Sequence, residues 1–128
     1  MAGTVTAGTM RQGTLNGAYR AEVGYPFDFV ADSTDGSFPQ TNLTNISGRV
    51  TSVRVIFGSP APAPNLSIQV ADEDGVDLLG GLGSGGNAFT ATGKVTLSPP
   101  EQFHEQLTIN LSGNTTNSAQ VKVVIYVM

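Results

Sequence analysis

Along most of this chain, apolar residues recur at every second position. Leu66, Ile68 and Val70 alternate with Ser67 and Gln69, and Leu107, Ile109 and Leu111 alternate with Thr108 and Asn110. The last residues set Val121, Val123, Ile125 and Val127 on one face and Lys122, Val124, Tyr126 and Met128 on the other. Successive side chains of a strand point to opposite faces, so a period of two predicts half-buried strands. In the last strand the second face is also largely apolar, which predicts a central place in a sheet or cover from another subunit. Further strands are expected over residues 19–23, 27–31, 48–57 and 94–98. Pro26 should mark an edge or a bend between the first two, because proline cannot donate to a ladder.

Between these segments lie turn clusters: DSTDGSFPQTN, GSPAPAPN, an Asp/Gly stretch, SPPEQ and SGNTTNS. PAPAPN is stiff and extended. No run of ten residues carries a convincing helical period, and the best short candidate covers 75–79. Several short strands separated by turns predict an all-β fold, an antiparallel β-sandwich or jelly-roll-like barrel, over residues 18–128. Residues 1–17 are polar, Gly/Thr-rich and weakly patterned. They are expected to form an extended N-terminal arm that is disordered when free, with Val5, Met10 and Leu15 as anchors that order on a partner.

Composition narrows the picture. A length of 128 residues suits one domain. Charged residues make up 12% of the chain, about half the usual share, and Thr, Ser, Asn and Gly fill the deficit. The net charge is −4, and the six basic residues (Arg11, Arg20, Arg49, Arg54, Lys94 and Lys122) are scattered. That argues against nucleic acid and anionic membranes as partners, both of which need clustered positive charge. The absence of cysteine excludes disulfides, thiolate catalysis and Cys-bound zinc. No basic start precedes an apolar run, so no signal peptide is expected, and no apolar stretch is long enough for a membrane helix.

The segment DEDGVDLLGGLGSGG, residues 72–86, concentrates four acidic residues and six glycines. Asp72, Asp74 and Asp77 are weak candidate ligands for a cation such as calcium. Their spacing departs from the D-x-D-x-D-G loop with a later Glu, and a turn closing the 66–70 strand is the favoured reading. Gly81, Gly83 and Gly86 satisfy G-x-G-x-x-G, but a Thr-rich, strand-like segment follows where a dinucleotide site needs a helix. His104, the single histidine, is flanked by Glu101 and Glu105. No nucleophile in a matching context accompanies it, and a solvated loop histidine is the favoured reading. The five N-x-S/T sequons, at Asn42, Asn45, Asn65, Asn110 and Asn114, are expected by chance in so Asn-rich a chain. The aromatic residues, none of them Trp, are expected in core and interface.

The order ISGRVTSVRVIFGSPAPAPNLSIQVADEDGVDLLGGLGSGG, then LTINLSGNTTNSAQVKVVIYV, resembles small virion structural proteins of tailed bacteriophages and prophages. The likeness covers residues 48–128. It consists of a G-x-V-x-x-V strand, a proline-containing turn, a strand ending in D-x-D-G-V-D-L-L-G-G, and a final Val/Ile-rich strand. It implies a β-sandwich virion component with no catalytic residues and no cofactor, and leaves its place in the particle open. The leading expectation is a capsid decoration (cement) protein, assembled in the bacterial cytoplasm, that binds the major capsid protein or other virion proteins and stabilises the head. Alternatives are a neck, tail or spike-base component, a carbohydrate-binding host-recognition module and, least favoured, a hydrolase. Val124, Tyr126 and Met128, apolar on the second face of the last strand, predict a homo-oligomer, a trimer before a dimer.

Overall fold

The computed structural model describes residues 3–15, 18–64, 66–83 and 92–128. The alternating segments are strands: β1 (Thr4–Ala7), β2 (Arg11–Leu15), β3 (Ala18–Val30), β4 (Thr41–Thr44), β5 (Gly48–Phe57), β6 (Ser67–Ala71), β7 (Gly93–Phe103), β8 (Gln106–Ser112) and β9 (Gln120–Val127). Among the described residues there is no helix, and residues 75–79 lie in turns and a single bridge.

Two antiparallel sheets stack as a sandwich. The larger runs β1-β3-β9-β5-β7, with β2 also on β3, and the smaller runs β4-β8-β6. From β3 onward every connection passes from one sheet to the other. The pairs β3–β9, β4–β8 and β5–β7 are nested about β6, as in one long hairpin rolled on itself. The pairs β5–β9 and β6–β8 close the roll. This is jelly-roll order, and the tip of the rolled hairpin is the β6–β7 connection that contains the acidic, glycine-rich segment.

The inward faces meet in one core, centred on Phe29, Val53, Ile68, Leu107, Ile109 and Ile125. Each large apolar side chain buried this way contributes about 1.5–3 kcal/mol. Phe29 and Phe38 meet edge to face, centroids 6.1 Å apart, which fixes the β3–β4 connection against the core. In β5 the inward residues Val50 and Val53 are three apart, which breaks the period of two. A bulge with Thr51 as the extra residue restores it against β9, and the Thr51 hydroxyl donates to the Tyr126 carbonyl at 3.2 Å.

Three expectations change. Pro26 neither bends nor ends a strand, since β3 runs through it. Its carbonyl accepts from the Gly8 amide, so its nitrogen faces the gap between β1 and β2, where no donor is required. β7 continues through Pro99 and Pro100, where its register against β5 shifts, and it lies at the sheet edge, where proline is tolerated. Residues 4–15, expected as a free arm, are extended but pair with β3 of their own sheet. Backbone bonds supply the hold that their sparse apolar content lacks, and Val5 packs against the core. Of the two positions expected for the last strand, β9 takes the central one, and Val124 on its outer face is fully buried within the chain, so its burial needs no second subunit.

Candidate functional site

The acidic segment folds by bonding to itself. Asp72 Oδ1 accepts from the amides of Asp74 and Val76, both at 2.9 Å, which winds a tight turn around Gly75. Gly75 has φ +80°, a conformation that L side chains resist. Asp77 bridges to Ala71, and its carboxylate accepts from the amides of Val70, Leu79 and Gly81 at 3.1–3.3 Å. The chain then doubles back along β6: Leu78 N donates to Val70 O, and Ile68 N donates to Gly83 O. Leu78 and Leu79 are thereby driven into the core. A Cβ on Gly83 would collide with the Ile68 carbonyl, so glycine there reflects close backbone approach. Residues 72–83 form a wide turn that seals the β6 edge. Its Asp72, Asp74 and Asp77 carboxylates do not converge, and no group of three metal-ligating side chains forms among the described residues. Gly86, the last glycine of the G-x-G-x-x-G pattern, lies outside them.

The β7–β8 corner brings together residues that spacing does not connect. His104 N donates to Glu73 Oε1 at 2.9 Å, Glu105 N to Ser47 Oγ at 3.0 Å, and Asn45 N to Glu105 O at 2.8 Å. Ser47 Oγ also lies 3.2 Å from His104 Nδ1. A hydroxyl beside an imidazole is the first element of a nucleophile–base pair. Here the same oxygen is tied to the Glu105 amide, and the His104 and Glu105 side chains are 72% and 75% exposed. Water therefore reaches the whole corner, and the geometry is that of a clamp between three loops. Sequence reasoning did not find Ser47, which lies 57 residues from His104.

At the opposite end the anchors are buried. Asn114 Oδ1 accepts from the amides of Ala63 and Thr116, while its Nδ2 donates to the carbonyls of Gly36 and Thr116. Its amide nitrogen is thus engaged in the fold. Asp32, almost wholly buried, accepts from the Thr34 amide at 2.8 Å and hydroxyl at 2.9 Å. Those two bonds hold its carboxyl below the ordinary value of 3.8, and Asp35 is lowered in the same way by the amide and hydroxyl of Ser37.

The residues expected to contact partners have different surroundings. Val5 is half-buried against the core and Val124 is buried; Leu15 lies in β2, opposite Ala18 of β3. Met10 and Met128 are about half exposed, and Tyr126 is half-buried with the Arg54 guanidinium 5.7 Å from its ring centre. Arg11 pairs with Gly24, which in turn faces Tyr126, so Arg11 and Tyr126 flank Gly24 on one face of the larger sheet, and Met128 follows Tyr126 at the end of β9. Among the described residues no helix is long and apolar enough to cross a membrane. No family model matches the chain, and no curated protein or solved structure matches it.

Proposed function

We propose that this chain is a non-enzymatic structural component of a bacteriophage virion, a decoration protein that binds the assembled head and stabilises it. The observation that carries this reading is the use made of the polar side chains. Asp32, Ser47, Asp72, Glu73, Asp77 and Asn114 all hold backbone amides of their own or neighbouring loops. They brace a scaffold. The jelly-roll order is one that viral coat domains use, although a fold alone does not assign a role. The assignment rests on the resemblance of residues 48–128 to virion proteins of tailed bacteriophages.

The mechanism is mass action. A protein that binds only the assembled shell lowers its free energy at every occupied site, and many sites multiply the effect. In this reading Tyr126 and Met128, at the end of β9, form the contact surface, either between copies in a trimer or against the major capsid protein. The exposed Met128 suits an interface better than open water. Quantitative mass spectrometry of purified particles tests the proposal. On the order of hundreds of copies per particle fits a head protein, about a dozen fits a neck or tail component, and absence from the particle refutes both.

A further inference from the structure

The outer face of the smaller sheet carries a polar groove. β8 turns Gln106, Thr108 and Asn110 outward because Leu107, Ile109 and Leu111 point into the core. Gln69 on β6 stands opposite Asn110, and Asn42 on β4 stands opposite Thr108. Gln40 and the turn bearing Asp72 and Glu73 complete a groove of about 320 Å³, within the size range of small-ligand sites. Gln106 Nε2 donates to Thr108 Oγ1 at 3.3 Å, and Thr108 Oγ1 donates to Asn42 Oδ1 at 3.0 Å. These bonds run across the face and hold the ladder in place. The side-chain amides of Gln40, Gln69 and Asn110 have no protein partner among the described residues.

The chemistry of this face selects its occupant. The outward positions of β4, β6 and β8 carry amides, hydroxyls and Ala71, with no charge among them. The charges lining the groove are carboxylates, Asp72 and Glu73, which repel a polyanion. A protein partner would call for an apolar or aromatic centre, yet none of the large exposed apolar residues (Met10, Val76, Leu82 and Met128) lines this groove. A side-chain amide offers donor and acceptor in one plane, and a carboxylate offers paired acceptors. Those are the complements of neighbouring hydroxyls, each of which both donates and accepts. We propose that this groove binds a neutral saccharide through hydrogen bonds from Gln40, Gln69, Gln106 and Asn110, with Asp72 and Glu73 accepting from sugar hydroxyls at the rim. With no aromatic platform among the described residues that line it, the affinity is weak, in the millimolar range, and useful only when many copies act together.

The test is an NMR titration of the ¹⁵N-labelled full chain with maltohexaose, chitohexaose and a mannan-derived hexasaccharide, with heparin as the polyanion. The expected result is saturable shift changes on β6 and β8 for at least one neutral sugar and none with heparin. Gln69→Ala combined with Asn110→Ala should weaken that binding about tenfold at an unchanged Tm. Asn110→Asp, which keeps the size but loses the donor, should weaken it as well. The inference is overturned if no neutral sugar gives saturable shifts on this face, if heparin gives them instead, or if the folded double variant binds as before.

Discussion

At one end of the sandwich, loops 31–40, 58–64 and 113–119 are pinned by the buried Asn114 and by Asp32. At the other, loops 45–47, 72–77 and 104–105 are joined through Ser47, Glu73 and His104, whose side chains stand in water. Both ends solve the same problem: each strand crossing between sheets leaves amides and carbonyls that need partners. A partner sealed from water is costly to remove, because the orphaned groups cannot rehydrate, whereas an exposed partner is replaced by solvent. The buried end is therefore the structural anchor. The exposed end, beside the polar groove and the acidic turn, is where substitution is tolerated.

Asn114→Ala should produce the largest effect. It strips partners from Ala63, Gly36 and Thr116 at once and should cost about 3 kcal/mol in urea unfolding. A loss as small as that of a surface substitution would erase the distinction between the two ends. The next test is acid. The carboxyls of Asp32 and Asp35 are lowered in the folded chain, so their contribution is full above the ordinary carboxylate range. It is lost as pH falls through the folded values. Asp32→Asn should flatten the fall in Tm with acidification. A fall of the same slope in Asp32→Asn would contradict this assignment.

Gly75→Ala should cost about 1 kcal/mol. Nothing lies within 4 Å of the added Cβ, so the penalty comes from the positive φ alone. Gly83→Ala, which meets the Ile68 carbonyl, should cost more. Equal losses in chemical denaturation would mean that the turn does not pack against β6. The smallest change is expected from Glu73→Ala, within about 0.5 kcal/mol. A larger loss in the same assay would show that the exposed clamp is as critical as the buried one.

The strands were legible because alternation writes the buried face directly into the sequence, as in β6, β8 and β9. The same rule shows where it breaks: the Val50-x-x-Val53 spacing is the signature of the Thr51 bulge. The doubly apolar β9 announced a central strand, but whether Val124 is covered by its own chain or by a neighbour is a tertiary fact. β1 and β2 were not legible, because their hold is backbone pairing, to which Thr and Gly side chains contribute no pattern. The braces were hidden for a related reason. Glu73–His104, Asn114–Ala63 and Ser47–His104 join residues 31, 51 and 57 apart in the sequence. Only the nested pairing of strands brings them together. The acidic segment drew attention as possible chemistry, and its geometry is that of Asx turns at the hairpin tip.

The proposed role is tested most directly by adding purified protein to bacteriophage heads stripped of decoration protein, then measuring occupancy and the temperature at which the heads open. The account predicts saturable binding at a fixed number of sites and an opening temperature that rises with occupancy. It also predicts that Tyr126→Ser and Met128→Ser, in variants that keep the wild-type Tm, reduce both. Heads that neither bind the protein nor open at a higher temperature in its presence would contradict it.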